Sequence, residues 1–203
     1  MLDQTLRIYK ERLLEPIAAQ VGAFASPLQI TLVGFVAGVG ACLAAWQQMY
    51  GLALVLWLLN RLLDGLDGTV ARSTGRQSDF GGYLDIVLDD VIYAGLALAL
   101  ALSVNTVGAY IAAGVLLALY RVNAASWMML AALLEKRAHG AQVHGEMTSV
   151  TMPHGLIEGT ETIVFYVLCI LFPTWLVALY SILAVLVVVM VIQRLLWAWQ
   201  NLR

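Results

Sequence analysis

Asp64-Gly65-Leu66-Asp67-Gly68-Thr69-Val70-Ala71-Arg72 is followed, after eight residues, by Gly81-Gly82-Tyr83-Leu84-Asp85-Ile86-Val87-Leu88-Asp89, so two short blocks place four aspartates in an otherwise apolar chain. Carboxylates near a bilayer are costly unless they are paired, hydrated or bound to metal. On a helix, Asp64 and Asp67 are three apart and share a face, as do Asp85 and Asp89, four apart. Between the blocks, Ser73-Thr74-Gly75-Arg76-Gln77-Ser78 has the composition of a reversal. Two antiparallel helices joined there would point four carboxylates at one volume.

Working outward, the 203 residues are 62% apolar and only 12% charged, with a mean hydropathy of +0.85. Soluble globular proteins carry about 25% charged residues, so the chain reads as an integral membrane protein forming a single domain over residues 1–203. A net charge of −2 gives no reason to expect nucleic acid as a partner. Cys42 and Cys169 both lie in apolar stretches and read as core thiols. The first residues, Met1 to Arg7, lack the apolar run of a signal peptide.

Crossing a hydrocarbon core of about 30 Å takes about 20 apolar residues. Six stretches qualify: Leu28 to Met49, Gly51 to Arg72, Gly81 to Ser103, Val107 to Leu134, Gly155 to Phe172 and Thr174 to Leu196. The fold class is therefore an all-α membrane protein with six transmembrane helices. The junctions at Tyr50-Gly51, Ser103 to Thr106 and Pro173-Thr174 carry no Lys or Arg, whereas Arg7, Lys10, Arg12, Arg61, Arg72, Arg76, Lys136, Arg137, Arg194 and Arg203 fall in the other segments. The positive-inside rule then puts both termini and the aspartates on the cytoplasmic side, as for a protein of a bacterial inner membrane. Residues 1–20, with Leu6, Ile8, Tyr9, Leu13, Leu14 and Ile17 spaced between charges, suit an N-terminal amphipathic interfacial helix, packed on the protein or in contact with lipid.

Four gathered carboxylates repel one another, and divalent cations resolve this. An oxygen-only ligand set favours Mg²⁺, Mn²⁺ or Ca²⁺ over zinc. Carboxylates that bridge two ions suit reactions at phosphate. Gly65, Gly68, Gly81 and Gly82 remove side chains beside the acids, so a bulky anionic ligand can approach the backbone. Arg72, on the arc of Asp64 and Asp67, can contact a phosphate or an aspartate.

The pattern Asp-x2-Asp-Gly-x2-Ala-Arg-x8-Gly-x3-Asp-x3-Asp, complete over residues 64 to 89, resembles the signature of the CDP-alcohol phosphotransferases (class I). The six-helix layout is similar over most of the chain. The resemblance implies that an alcohol attacks the β-phosphate of a CDP-linked substrate, that CMP leaves, and that a phosphodiester forms. By motif position it makes Asp64, Asp67 and Asp85 ligands of two Mg²⁺ or Mn²⁺ ions, with Asp89 a shared ligand and the general base. It makes Gly68, Arg72 and Gly81 contacts to the CDP part, with Ser78 beside them. Upstream, Ser26-Pro27-Leu28-Gln29-Ile30-Thr31 is similar to the family's Pro-(Asn/Asp)-x-x-Thr element, which helps hold the nucleotide. Leu28 stands where that element has Asn or Asp, leaving Gln29 or Thr31 to compensate.

Other polar residues bear on the acceptor. Asp90 points about 100° away from Asp89 around a helix and reads as a capping or surface residue. The family's members that make phosphatidylglycerol phosphate or cardiolipin often carry Lys there, so Asp90 argues against those products. Arg121 and Asn123 interrupt the fourth helix, and an arginine at that depth is expected to face the interior or a polar cavity. Glu158 and Glu161, part of a His154-x3-Glu158-x2-Glu161 run that includes Thr160, share a face at the start of the fifth helix. Arg121, Glu158 and Glu161 are thus candidates for the acceptor, with ion pairing of the glutamates to Arg121, Arg137 or Arg72 the plainer alternative. A zinc site from His139, His144 and His154 is disfavoured. Met128, Met129 and Met152 read as packing residues, and Trp46, Trp57, Trp175, Trp197 and Trp199 as an aromatic belt.

The reading is a membrane enzyme of phospholipid synthesis that moves a phosphatidyl group from CDP-diacylglycerol, or another CDP-alcohol, to a small alcohol acceptor, within the lipid bilayer and as a homodimer. Inositol phosphate, glycerol phosphate, serine, choline and ethanolamine stay open as acceptors. Its rivals are an Asp-rich UbiA-type prenyltransferase and a cation transporter or binding protein; neither calls for the Gly-x2-Ala-Arg element.

Overall fold

The computed structural model describes residues 14–137 and 159–202. Among these, the regular elements are all helical. They are α1 (Pro27–Trp46), α2 (Tyr50–Ser73), α3 (Asp79–Val104), α4 (Val107–Lys136), α5 (Gly159–Leu171) and, after a 3₁₀ turn at Pro173–Trp175, α6 (Leu176–Asn201). Residues 14–21 form a further helical segment ahead of α1. The helices expected from apolar runs are all present, with bounds shifted by a few residues. Residues 1–13 of the expected amphipathic helix lie outside the described residues. Over 14–21, Leu14 and Ala18 are buried; Ala18 packs with Ile30, Leu66 and Val70 of α1 and α2.

Local chemistry sets the boundaries. Pro27 occupies the first turn of α1, where its missing N–H costs nothing. Ser26 Oγ accepts the Gln29 N–H at 3.3 Å and Gln29 Oε1 accepts the Ser26 N–H at 2.8 Å, a reciprocal cap. The reversal into α2 sits at residues 47–49, where Gln48 takes φ 59°. That turn is tied to the end of α3: Gln48 Nε2 donates to the Ser103 carbonyl at 2.8 Å, and the Tyr50 and Ser103 hydroxyls lie 3.2 Å apart. Asn105, at φ 52°, closes α3, and the Thr106 hydroxyl accepts the Ala109 N–H to open α4.

Among the described residues, four elements are long and apolar enough to cross a membrane: α1, α3, α4 and the Pro173–Asn201 stretch. In α2 the run is broken by Arg61, Asn60, Asp64, Asp67 and Arg72, and α5 is described over only 13 residues. Helix α1 packs on α2 and α3, α4 on α6 and α3, and α5 on α2 and α6. In the core, Trp57, Tyr166 and Tyr180 are fully buried. The Tyr166 hydroxyl donates to the Tyr93 carbonyl at 2.9 Å and the Tyr180 hydroxyl to that of Ala97 at 2.8 Å, fastening α5 and α6 to α3.

Two expectations need correction. Trp57 is not part of an aromatic belt, because it lies seven residues into α2 on the inward face with Arg61 and Asp64. Trp46, Trp175, Trp197 and Trp199 are exposed, as a belt requires. Met128 and Met129 are exposed rather than packed in the core; Met152 lies outside the described residues. Arg121 is exposed, with Asp90 of α3 as a charged neighbour. Two residues apart on a helix is about 200°, and α4 turns Asn123 inward, where the buried Arg194 of α6 donates to Asn123 Oδ1 at 2.8 Å.

Candidate active site

The hairpin of α2 and α3 places the acids. After Ser73 the chain reverses through Gly75, whose φ of +65° is a conformation that favours glycine. Ser78 Oγ then accepts the Gly81 N–H at 3.1 Å to start α3. Asp64 and Asp67 thus lie three turns or less from the end of α2, facing Asp85 and Asp89 near the beginning of α3. One oxygen from each of Asp64, Asp85 and Asp89 lies within 4.8 Å of the others. Oxygens on opposite sides of a Mg²⁺, Mn²⁺ or Ca²⁺ ion are about 4–5 Å apart, so this donor set fits one such ion. Asp67 lines the same pocket, together with Thr31 and Gly34 of α1. It is buried, and the Thr31 hydroxyl donates to its Oδ2 at 2.5 Å, with the Pro27 carbonyl 3.0 Å away. The four aspartates expected to converge therefore do so, three as a tight cluster and the fourth held by α1.

Behind the acids that line the pocket lies a cation whose sequence position alone suggested only a flanking charge. Arg61 is 6% exposed. Its Nη1 and Nη2 donate to the two oxygens of Asp89 at 2.9 and 2.5 Å, and Nη1 is 3.8 Å from Asp64 Oδ2. Its Nε donates to Asn60 Oδ1 at 2.8 Å, and Asn60 Nδ2 donates to the Gly34 carbonyl at 2.8 Å. The guanidinium lies 4.9 Å from the ring centres of both Trp57 and Tyr93. The signal was present as Trp57-x3-Arg61-x2-Asp64, one face of α2, with Tyr93 one turn beyond Asp89 on α3.

The other expected residues fall around this centre. Arg72 lies over Gly68: a Cβ there would sit 3.2 Å from Arg72 Nη1. Gly81 and Ser78 meet at the cap of α3, where a Cβ on Gly81 would lie 3.0 Å from Ser78 Oγ. Gln29 spends its side-chain oxygen on the cap of α1. Asp90 is exposed, with Arg121 a charged neighbour. Glu161 is half-buried on α5. Neither Arg121 nor Glu161 lines the carboxylate pocket. Glu158, His139, His144 and His154 lie outside the described residues. The two cysteines are free.

Comparison with known proteins follows the same lines. A family model for CDP-alcohol phosphatidyltransferases matches residues 24–199. Inner membrane protein YnjF of Escherichia coli is 41% identical over 150 residues, 74% of this chain and 71% of that protein. The archaetidylinositol phosphate synthase of Pyrococcus horikoshii is 36% identical over 77 residues, 38% of this chain and 41% of the synthase. The crystal structure of Mycobacterium tuberculosis phosphatidylinositol phosphate synthase (PgsA1) with CDP-DAG bound superposes with a TM-score of 0.70, covering 93% of this chain and 94% of that one at 21% identity. A second crystal structure of that synthase, in complex with manganese and citrate, also gives 0.70, over 92% of this chain and 88% of that one, again at 21% identity. At such identity the likeness is one of fold.

Proposed function

The chain belongs to the CDP-alcohol phosphatidyltransferase family, a family of phospholipid-synthesis enzymes, and from that premise we propose that it moves a phosphatidyl group from CDP-diacylglycerol to a small alcohol, releasing CMP. The observation that carries this reading is the convergence of Asp64, Asp85 and Asp89 within 4.8 Å, with Asp67 in the same pocket. The enzyme is a multi-pass membrane protein; six spans with both termini and the pocket on the cytoplasmic side is the arrangement we propose.

Asp64, Asp67, Asp85 and Asp89 would hold two Mg²⁺ or Mn²⁺ ions. When bound, such ions lower the alcohol's pKa and offset the charge of the pyrophosphate. The chain's own residues do the rest. Asp89, 30% exposed towards the pocket, accepts the proton of the acceptor hydroxyl. The freed oxygen bonds to the β-phosphorus, the bond from that phosphorus to the bridging oxygen breaks, and the bridging oxygen leaves with CMP. Arg72 binds a phosphate of the donor over Gly68, while Thr31, Gln29, Ser78 and Gly81 border the nucleotide. Thr31 also fixes the orientation of Asp67. Arg121 and Glu161, with Glu158 beyond the described residues, stay candidates for the acceptor.

A phosphorylated polyol is the first acceptor to test, because the archaeal relative and the mycobacterial fold neighbour are both named as synthases of inositol phosphate lipids. Purified enzyme is incubated with Mn²⁺, CDP-diacylglycerol and, in separate tubes, inositol phosphate, glycerol phosphate, serine and inositol. Release of CMP together with a new lipid of matching mass is expected from one tube, and EDTA should abolish it. Asp89→Asn, folded, should lower kcat at least a hundredfold, the scale of a lost general base. Transfer from a prenyl diphosphate, with CDP-diacylglycerol inert in every tube, would overturn the reading.

A further inference from the structure

We propose that Arg61 is a positioning residue of the acidic centre: a fixed internal cation that keeps Asp89 and Asp64 gathered in the metal-free protein, so that a divalent ion meets carboxylates already in place. This rests on the reading of the centre given above.

The geometry shows which partner anchors the other. Asp89 and Asp64 are 30% and 25% exposed, whereas Arg61 is 6% exposed. The acids look into the pocket and the guanidinium lies behind them. Arg61 also does not depend on Asp89 for its placement. Its Nε is held through Asn60, which is itself tied to the Gly34 carbonyl of α1. The guanidinium packs against Trp57 of α2 and Tyr93 of α3, the preferred arrangement for a cation among aromatic rings. The Tyr93 hydroxyl is 3.2 Å from Nη1. Trp57, Tyr93 and Tyr166 brace one another with ring centres 5.3 to 5.5 Å apart. Three helices thus fix the guanidinium, and Asp89 comes to it.

Charge explains why such an anchor is useful. Four carboxylates around one pocket repel when no ion is present, and that repulsion opposes the approach of the Asp64–Asp67 segment of α2 to the Asp85–Asp89 segment of α3. One guanidinium removes part of it and leaves the centre net negative, so the site still attracts a divalent cation. The forked pair engages one lone pair on each Asp89 oxygen and leaves the others facing the pocket for an ion or a proton. A lysine cannot reproduce this, because its ammonium is a point charge without the fork.

The test compares wild type, Arg61→Met, Asp89→Asn and the double variant in detergent, by Tm in EDTA and in saturating Mn²⁺. In EDTA, Arg61→Met should lose on the order of 10 °C, the scale of a buried pair deprived of one partner. The double variant should regain part of that loss, because no unpaired carboxylate is left behind. Mn²⁺ should raise the Tm of Arg61→Met by more than that of wild type, since the ion then supplies the missing positive charge. A plain structural ion pair would not produce that difference. If Arg61→Met does not fold, Arg61→Gln, which also removes the charge but keeps a hydrogen-bond donor for Asp89, takes its place in the same comparison, with a smaller loss and the same ordering. Purely additive effects of the two substitutions in EDTA, or a loss from Arg61→Met that is equal in EDTA and in Mn²⁺, would overturn the proposal. A wild-type protein indifferent to Mn²⁺ would count against the metal reading of the centre instead; the coupling between residues 61 and 89 in EDTA decides the role of Arg61 without any metal.

Discussion

Gly68 shows how little room the site leaves beside its acids. A Cβ at that position would lie 3.2 Å from Arg72 Nη1 and 3.8 Å from Nη2, so any side chain there moves the guanidinium rather than the backbone. Gly68→Ala gains helix propensity of up to about 1 kcal/mol, so its Tm should hold or rise. The displaced Arg72 should raise KM for CDP-diacylglycerol roughly tenfold, about 1.4 kcal/mol of binding, and Gly68→Leu should raise it further. An unchanged KM in Gly68→Leu would remove Arg72 from donor binding. At this scale the aspartates were legible because helical spacing alone puts them on facing arcs. Arg61 was not. A lone arginine in an apolar helix reads equally well as a cytoplasmic marker or a buried counter-ion, and only the rotation of α2 against α3 distinguishes the two. Arg194 went unread for the same reason: its partner, Asn123, is 71 residues away.

At the level of the helices, the hairpin is held together by the third element, α1. Gly34 and Gly38 are one turn apart on the face that meets α2 and α3. A Cβ on Gly34 would lie 3.2 Å from Leu63 Cβ, and one on Gly38 only 2.8 Å from Ile92 Cγ1 and Cδ1. Small residues at such spacing let helix backbones approach closely inside a membrane, and here they bring Thr31 against Asp67. Gly38→Val should cost about 1–3 kcal/mol by overpacking, with a Tm loss of several degrees and a matching loss of activity. Gly114→Ala on α4 is the control, since its Cβ would meet nothing within 4 Å, and it should leave Tm unchanged or slightly higher. A Gly38→Val protein as stable as wild type would mean that α1 can shift without consequence. Apolar runs located the helices to within a few residues, because length and hydropathy survive in any register. They do not show which face turns inward, so neither the burial of Trp57 nor the close approach of α1 at Gly34 and Gly38 is legible in them.

For the molecule as a whole, the turns sort into two ends. The turn at residues 47–49 is bonded to Ser103 at the end of α3, and that helix also meets the 3₁₀ turn at Pro173–Trp175. These connections contain no Lys or Arg. The opposite end carries the α2–α3 turn with Arg72 and Arg76, and Lys136 and Arg137 at the end of α4. The pocket lies towards this basic end, so one measurement fixes both the orientation of the chain and the leaflet from which a CDP-lipid would enter. A single cysteine is introduced at exposed Val107 or at exposed Gln77, in a background with Cys42 and Cys169 changed to Ala. With the positive end inside, a membrane-impermeant maleimide should label Val107→Cys in intact cells and Gln77→Cys only after permeabilisation. The reverse pattern would place the carboxylates on the outer face and, with them, any substrate they act on. A third cysteine at exposed Gln47, in the turn before α2, brackets that helix: labelling of both Gln47→Cys and Gln77→Cys in intact cells would show that α2 does not cross the bilayer. That is the outcome to look for in particular, because α2 pairs its charges internally through Arg61 and Asp89 and would have to cross on the strength of that pairing rather than of its hydropathy.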